Sequence, residues 1–173
     1  GAALLHVRRA APGRLPVIAT LMDLTEDDRF FWYTTTGWMM WNLLIGGLLL
    51  GSTVLLYDGN PGHPDMGTLW RFVQEAEATY FGASAPYIQA CMKAGIEPGA
   101  EFDLSSLRLM LYGAAPIDAT LLERAMQLLP GADFAQAYGM TELAPTIVSM
   151  GPAEHRPGPQ RERLLRAAGR PVT

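Results

Sequence analysis

Five consecutive residues, Tyr138 to Glu142 in "QAYGMTELAP", bring together an aromatic face, a hydroxyl at Thr141 and a carboxylate at Glu142. An aromatic ring can stack on a purine, a hydroxyl can donate to a phosphate oxygen, and a carboxylate is a hard oxygen ligand of the kind Mg²⁺ takes beside phosphates. That set suits a nucleotide and its metal. Ordinary turn chemistry is the alternative, with Tyr138 packed in the core and Glu142 solvated. A second stretch, "LYGAAPI" at 111–117, also places small residues after an apolar run. Gly113, Ala114 and Ala115 would let a flat ligand lie close to the backbone.

Both stretches follow segments that read as buried strands. Apolar runs of strand length occur at 29–34, 53–57, 79–83, 107–113 and 133–139, and four of them are apolar on both faces. Helical patterns fill the gaps at 67–78, 85–94 and 118–129. In the last, Leu121, Leu122, Ala125, Leu128 and Leu129 form one stripe, Asp118 stands at the N-cap and Pro130-Gly131 stops the helix. Strand-helix alternation predicts an α/β fold, a mostly parallel sheet with helices on both faces. The carboxyl ends of such strands form the usual ligand crevice, where the two chemistry-bearing stretches fall.

The run "GWMMWNLLIGGLLLGSTVLLYDG", 37–59, holds about twenty uncharged residues in a row, enough to raise a membrane span. Its internal punctuation favours another parse. Gly51-Ser52 divides a helix-length piece from the β-prone "TVLLY", and Asp58-Gly59-Asn60-Pro61-Gly62 signals a turn. The expectation is a helix, a tight turn and a buried strand, with no transmembrane segment. The loops at 58–67 and 95–106 are read from composition, and 151–163, which lacks periodicity, is read as an exposed loop.

With 173 residues, 49% hydrophobic and 17% charged, the chain can build one sizeable core. A net charge of −4 gives no basic footprint, so no nucleic-acid partner is expected. The sign suits a cytoplasmic protein. Cys91 is the only cysteine, which makes it a core residue rather than a disulfide partner or a metal ligand. His6, His63 and His155 are isolated and read as loop or surface residues. Ser84 in "GASAP" lacks the final Gly of a nucleophile elbow. The arginines at 156–170 read as a solvated loop, with phosphate or coenzyme A contact as the alternative. The Arg- and Ala-rich start reads as a helix left from upstream sequence, ahead of a targeting peptide.

"YGMTE", the preceding "YGAAP" and the following "AGRPV" resemble the adenylate-forming superfamily of acyl-CoA synthetases and ligases, over residues 22–173. "DRFFWYTTTGWMMWNLLIGGLLLGSTVLLYDG" is similar to its acetoacetyl-CoA synthetase branch, whereas 111–173 looks more like fatty-acyl and aryl ligases. The resemblance implies fatty acid metabolism, with ATP, Mg²⁺ and coenzyme A. A carboxylate attacks the α-phosphate of ATP to form an acyl-adenylate, and the coenzyme A thiol then displaces AMP. Carried over, Gly113, Ala114, Ala115 and Pro116 would line the adenine, Tyr138 would stack on it, Thr141 would bond the phosphate and Glu142 would hold Mg²⁺. Gly139 and Met140 would border the acyl group. Trp38, Met39 and Met40 match a segment that shortens the acyl pocket in short-chain members.

On the same resemblance, 1–28 is a remnant of an upstream region, 29–150 the adenylate-binding α/β subdomain, and 151–173 a loop and the start of a further segment. The family's phosphate loop, its ribose-binding Asp and the C-terminal domain with a catalytic Lys are not within these residues. The expectation is that the 173 residues alone do not adenylate at a useful rate. A non-catalytic nucleotide-binding or degenerate fragment is the competing reading.

Overall fold

The computed structural model describes residues 23–113, 115–140, 146–159 and 161–171. Seven strands form one sheet: β1 (Arg29–Trp32), β2 (Thr53–Leu55), β3 (Tyr80–Ser84), β4 (Leu109–Gly113), β5 (Asp133–Gly139), β6 (Thr146–Met150) and β7 (Arg170–Pro171). Their order is β2-β1-β3-β4-β5-β6-β7. The first five are parallel, as the alternation of strands and helices predicts, and β6 and β7 are antiparallel to their neighbours. The reversal follows from length. Residues 140–145 are too few for the crossover of a dozen or more residues that parallel pairing requires.

Period-two alternation divides the strands between two cores. Phe31, Phe81, Met110, Tyr112 and Phe134 face α2 (Thr68–Glu75), α3 (Ala85–Lys93) and α5 (Ala119–Leu128), and Cys91 is buried among them. Phe30, Trp32, Tyr80, Leu109, Leu111 and Ala135 pack on the opposite face with Met40, Leu43 and Leu44 of α1 (Met39–Gly46). Helices therefore cover both faces. Each fully buried Phe or Leu contributes roughly 2 kcal/mol of transfer free energy to this arrangement.

Helix ends follow the expected chemistry. Asp118 Oδ1 accepts from the Thr120 N–H at 2.9 Å to cap α5, and Leu122, Ala125 and Leu129 of its predicted stripe are buried. Ser84 Oγ accepts from the Tyr87 N–H at 3.3 Å, so this serine caps α3. The apolar run beginning at Gly37 resolves into α1, a 3₁₀ turn (Gly47–Leu50) and β2, with Gly51 at φ +86° turning the chain between them. No helix among the described residues is long and apolar enough to cross a membrane. The run is not buried throughout, because β2 is an edge strand and Leu48, Leu49 and Leu56 are exposed.

The amino ends of the parallel strands are tied by one carboxylate. Asp28, 2% exposed, accepts from the Thr25 N–H and hydroxyl, the Thr79 hydroxyl, and Arg108 Nε and Nη2, at 2.6 to 3.1 Å. Burial opposes its ionisation. The hydrogen bonds from Arg108, Thr79 and Thr25, with the Arg108 charge, prevail and hold its carboxyl down at about 2. Because Thr25 and Asp28 precede β1, Thr79 precedes β3 and Arg108 precedes β4, this network fixes the three central strands in register.

The segment 95–106 contains a short helix, α4 (Pro98–Glu101), and the segment read as an exposed loop, 151–163, contains α6 (Pro152–His155) and the start of α7 (Arg161–Leu165). Elements of four or five residues span about one turn, too short to show a periodicity. His155 is buried, not at the surface, and Leu165 joins the core beside it.

Candidate adenylate site

A cavity of about 660 Å³ opens at the carboxyl ends of β1, β4 and β5, within the size range of small-molecule sites. Three separated segments line it with residues singled out from the sequence. Trp38, Met39 and Met40 come from the start of α1; Gly113, Ala115 and Pro116 follow β4; Tyr138, Gly139 and Met140 end β5. Ala114, Thr141 and Glu142 lie outside the described residues.

The apolar wall is built around Trp32 and Trp38. Trp32 ends β1 and lies across Gly82 of the adjacent strand, where an added Cβ would come within 1.8 Å of the indole. Only glycine leaves room for the ring. Trp38 precedes α1 in an extended conformation and is 59% exposed, whereas Met40 is buried among Leu43 and Leu44. Gly113 has a different constraint from the one expected. Its Cβ would meet the Ala137 carbonyl at 2.8 Å, so the neighbouring strand already requires glycine there, whatever a ligand requires.

Tyr138 is not packed in the core: it stands 48% exposed at the cavity, with its ring available for stacking. Gln136 and Thr146 supply neutral polar groups, and Arg166 is the one charged side chain among the described lining residues. Arg166 pairs with Glu162 at 3.1 Å. Other members of the arginine cluster are also paired: Arg156 with Asp133, Arg161 with Glu123 and Arg170 with Glu154. Four of the five arginines at 156–170 are thus charge-paired, and Arg156, Arg166 and Arg170 remain exposed.

Behind Gln136 lies a buried polar chain that sequence reasoning missed. Tyr112 Oη is 3.0 Å from Gln136 Oε1 and 2.9 Å from His155 Nε2, and His155 Nδ1 is 2.7 Å from the Gly151 carbonyl. Burial lowers the His155 pKa below its ordinary value and raises that of the Tyr112 phenol, so both are neutral near pH 7. The one available signal was Gln136 itself, an amide in the middle of an apolar strand sequence. No group of three His, Cys, Asp or Glu that could hold a metal ion occurs among the described residues.

A model of the AMP-binding enzyme family matches residues 7–173. The chain belongs to the AMP-binding enzyme family. Among relatives, the acetoacetyl-coenzyme A synthetase of Rhizobium meliloti is 38% identical over 130 residues, covering 75% of this chain and 20% of that protein. The acetoacetyl-CoA synthetase of Danio rerio is 37% identical over 95 residues, covering 55% of this chain and 14% of that protein. The chain therefore spans a fifth or less of the length of these curated relatives.

The solved acetoacetyl-CoA synthetase from Streptomyces lividans superposes with a TM-score of 0.77 at 38% identity, over 83% of this chain and 23% of that one. An anthranilate CoA ligase, AuaEII, solved in complex with anthranoyl-AMP, gives a TM-score of 0.78 at 21% identity, over 96% and 30%. That second likeness is one of fold. Both solved proteins thus share the sheet-and-helix fold of this chain.

Proposed function

We propose that the complete protein is an acyl-CoA synthetase that activates a small carboxylic acid with ATP and transfers the acyl group to coenzyme A. The observation that carries this reading is the convergence of 38–40, Gly113, Ala115, Pro116 and 138–140 on a single cavity. In this reading Tyr138 stacks on the adenine, and Gly113, Ala114, Ala115 and Pro116 line it. Gly139 and Met140 border the acyl group. Trp32, Trp38, Met39 and Met40 form the wall that limits acid length, which favours short acids such as those named for its synthetase relatives.

Thr141 and Glu142 are assigned to the phosphate and to Mg²⁺ by their place in the motif. The ion would supply charge neutralisation at the phosphates. The described cavity residues offer only Arg166 as a cation, and the chain's single lysine, Lys93, does not line the cavity. Charge developing at the α-phosphate needs more stabilisation than that. We therefore expect no useful adenylation by these 173 residues alone.

ATP–pyrophosphate exchange by the complete protein, run against a panel of carboxylic acids, tests the assignment. Exchange with short acids is expected. No exchange with any acid would overturn it, and nucleotide binding without exchange would favour a non-catalytic binding role.

A further inference from the structure

Gln136 lines the cavity, and its carboxamide meets Tyr112, which in turn meets His155. A backbone carbonyl only accepts, so His155 Nδ1, 2.7 Å from the Gly151 carbonyl oxygen, must carry a proton. When the imidazole holds that proton alone, Nε2 is a bare acceptor, and the Tyr112 hydroxyl 2.9 Å away donates to it. The phenol's only proton is then committed. Tyr112 Oη can only accept from Gln136, and an amide donates only through its NH₂ end. In this neutral form that end must face Tyr112 and the carbonyl oxygen the cavity, the reverse of the recorded amide, whose Oε1 stands 3.0 Å from Tyr112 Oη. A second proton on His155 reverses every step. Nε2–H donates to Tyr112, the hydroxyl donates to Gln136 Oε1 across 3.0 Å, and the NH₂ end turns to the cavity.

We propose that Tyr112 and His155 are positioning residues that set the polarity Gln136 shows to a ligand: an acceptor when His155 is neutral, a donor when it is doubly protonated. The acceptor form selects a ligand ring bearing an exocyclic N–H. The donor form selects a ring carbonyl at the same place. The relay rests on the geometry alone; the use of a purine nucleotide as its probe rests on the proposed function.

The charges around His155 are mixed. Glu154 on its own helix and Asp133 on β5 favour the imidazolium, while Arg161 on α7 opposes it. Arg170 and Arg156 pair with those two acids and weaken their pull. Burial is the largest influence and keeps the neutral ring in place near pH 7.

Nitrogen-15 NMR of the imidazole in the complete protein, titrated downward from pH 8, tests the relay without any variant. Near pH 7 Nδ1 should be protonated and Nε2 bare. Equilibrium binding of AMP and of inosine monophosphate, which carries a ring carbonyl in place of the amino group, reads the consequence. AMP should be preferred about tenfold near neutral pH, the worth of one such hydrogen bond with its mispaired alternative, and the preference should fall as His155 titrates. In Tyr112→Phe the preference should no longer follow pH. A neutral ring protonated on Nε2, or an AMP preference that does not move through the His155 titration in the wild type, would overturn the proposal. Failure of both nucleotides to bind would count against the proposed function, and the imidazole spectrum would still decide the relay.

Discussion

The two ends of the sheet differ in how they use polarity. At the amino end, Asp28 takes five hydrogen bonds from three residues and is almost wholly buried, so its charge is matched and held. At the carboxyl end, Trp38, Tyr138 and Met140 stand 44% to 59% exposed around a cavity with one charged lining side chain among the described residues. Fixed charge therefore sits where the strands are anchored, and exposed aromatic and thioether surface sits where a ligand can cover it. Substitutions at the amino end should change stability, and substitutions at the carboxyl end should change ligand choice.

The largest break in that comparison should come from Asp28→Ala, which leaves the Thr79 hydroxyl and the Thr25 N–H without their acceptor and the Arg108 guanidinium with only the exposed Asp23 carboxylate. We expect a loss of about 3 kcal/mol in urea unfolding of the complete protein, from the several hydrogen bonds to a charged group that are lost together. A loss confined to activity would mean that the amino end is not the anchor. Gly82→Ala comes next and links the two regions, because its Cβ would displace Trp32. Overpacking of this kind costs about 1–3 kcal/mol, and here it should also alter the acid profile, since Trp32 lines the cavity.

Asp28 also sets an acid limit. Its folded pKa, about 2, lies below the ordinary 3.8, so its contribution is present above the unfolded value and is lost as pH falls from about 4 through 2. The difference is worth roughly 2 kcal/mol. Unfolding measured against pH should show it, and Asp28→Asn should flatten that part of the curve. Trp38→Gly should have the smallest effect on stability, within about 0.5 kcal/mol because the ring is largely exposed, while shifting preference toward longer acids. An unchanged acid profile would remove Trp38 from the acyl wall.

The parallel strands were legible because an apolar run bounded by turn residues has few other uses, and α5 because its stripe, cap and stop agreed. β6 escaped notice because "TIVSM" is mostly half-buried and carries a weak signal. The helices of the tail are too short for any period to register. Of the residues taken from recognisable motifs, those described, Gly113, Ala115, Pro116, Tyr138, Gly139 and Met140, line one cavity at the end of the sheet where a parallel fold would put them. Those outside the motifs depended on contacts between distant parts of the chain. Trp32 reads as a core strand residue until Gly82 is seen beneath it, and nothing near His155 in sequence points to Tyr112, 43 positions away. Pattern reports local periodicity, whereas these assignments rest on which side chains meet across the sheet.

Hydrogen exchange of the complete protein, with and without a non-hydrolysable acyl-adenylate analogue, compares the two ends in one measurement. The account predicts protection concentrated at 37–40, 113–117 and 136–140, with the amides around Asp28, Thr79 and Arg108 already slow and unchanged. Protection centred on the Asp28 network, or none at the cavity, would contradict it.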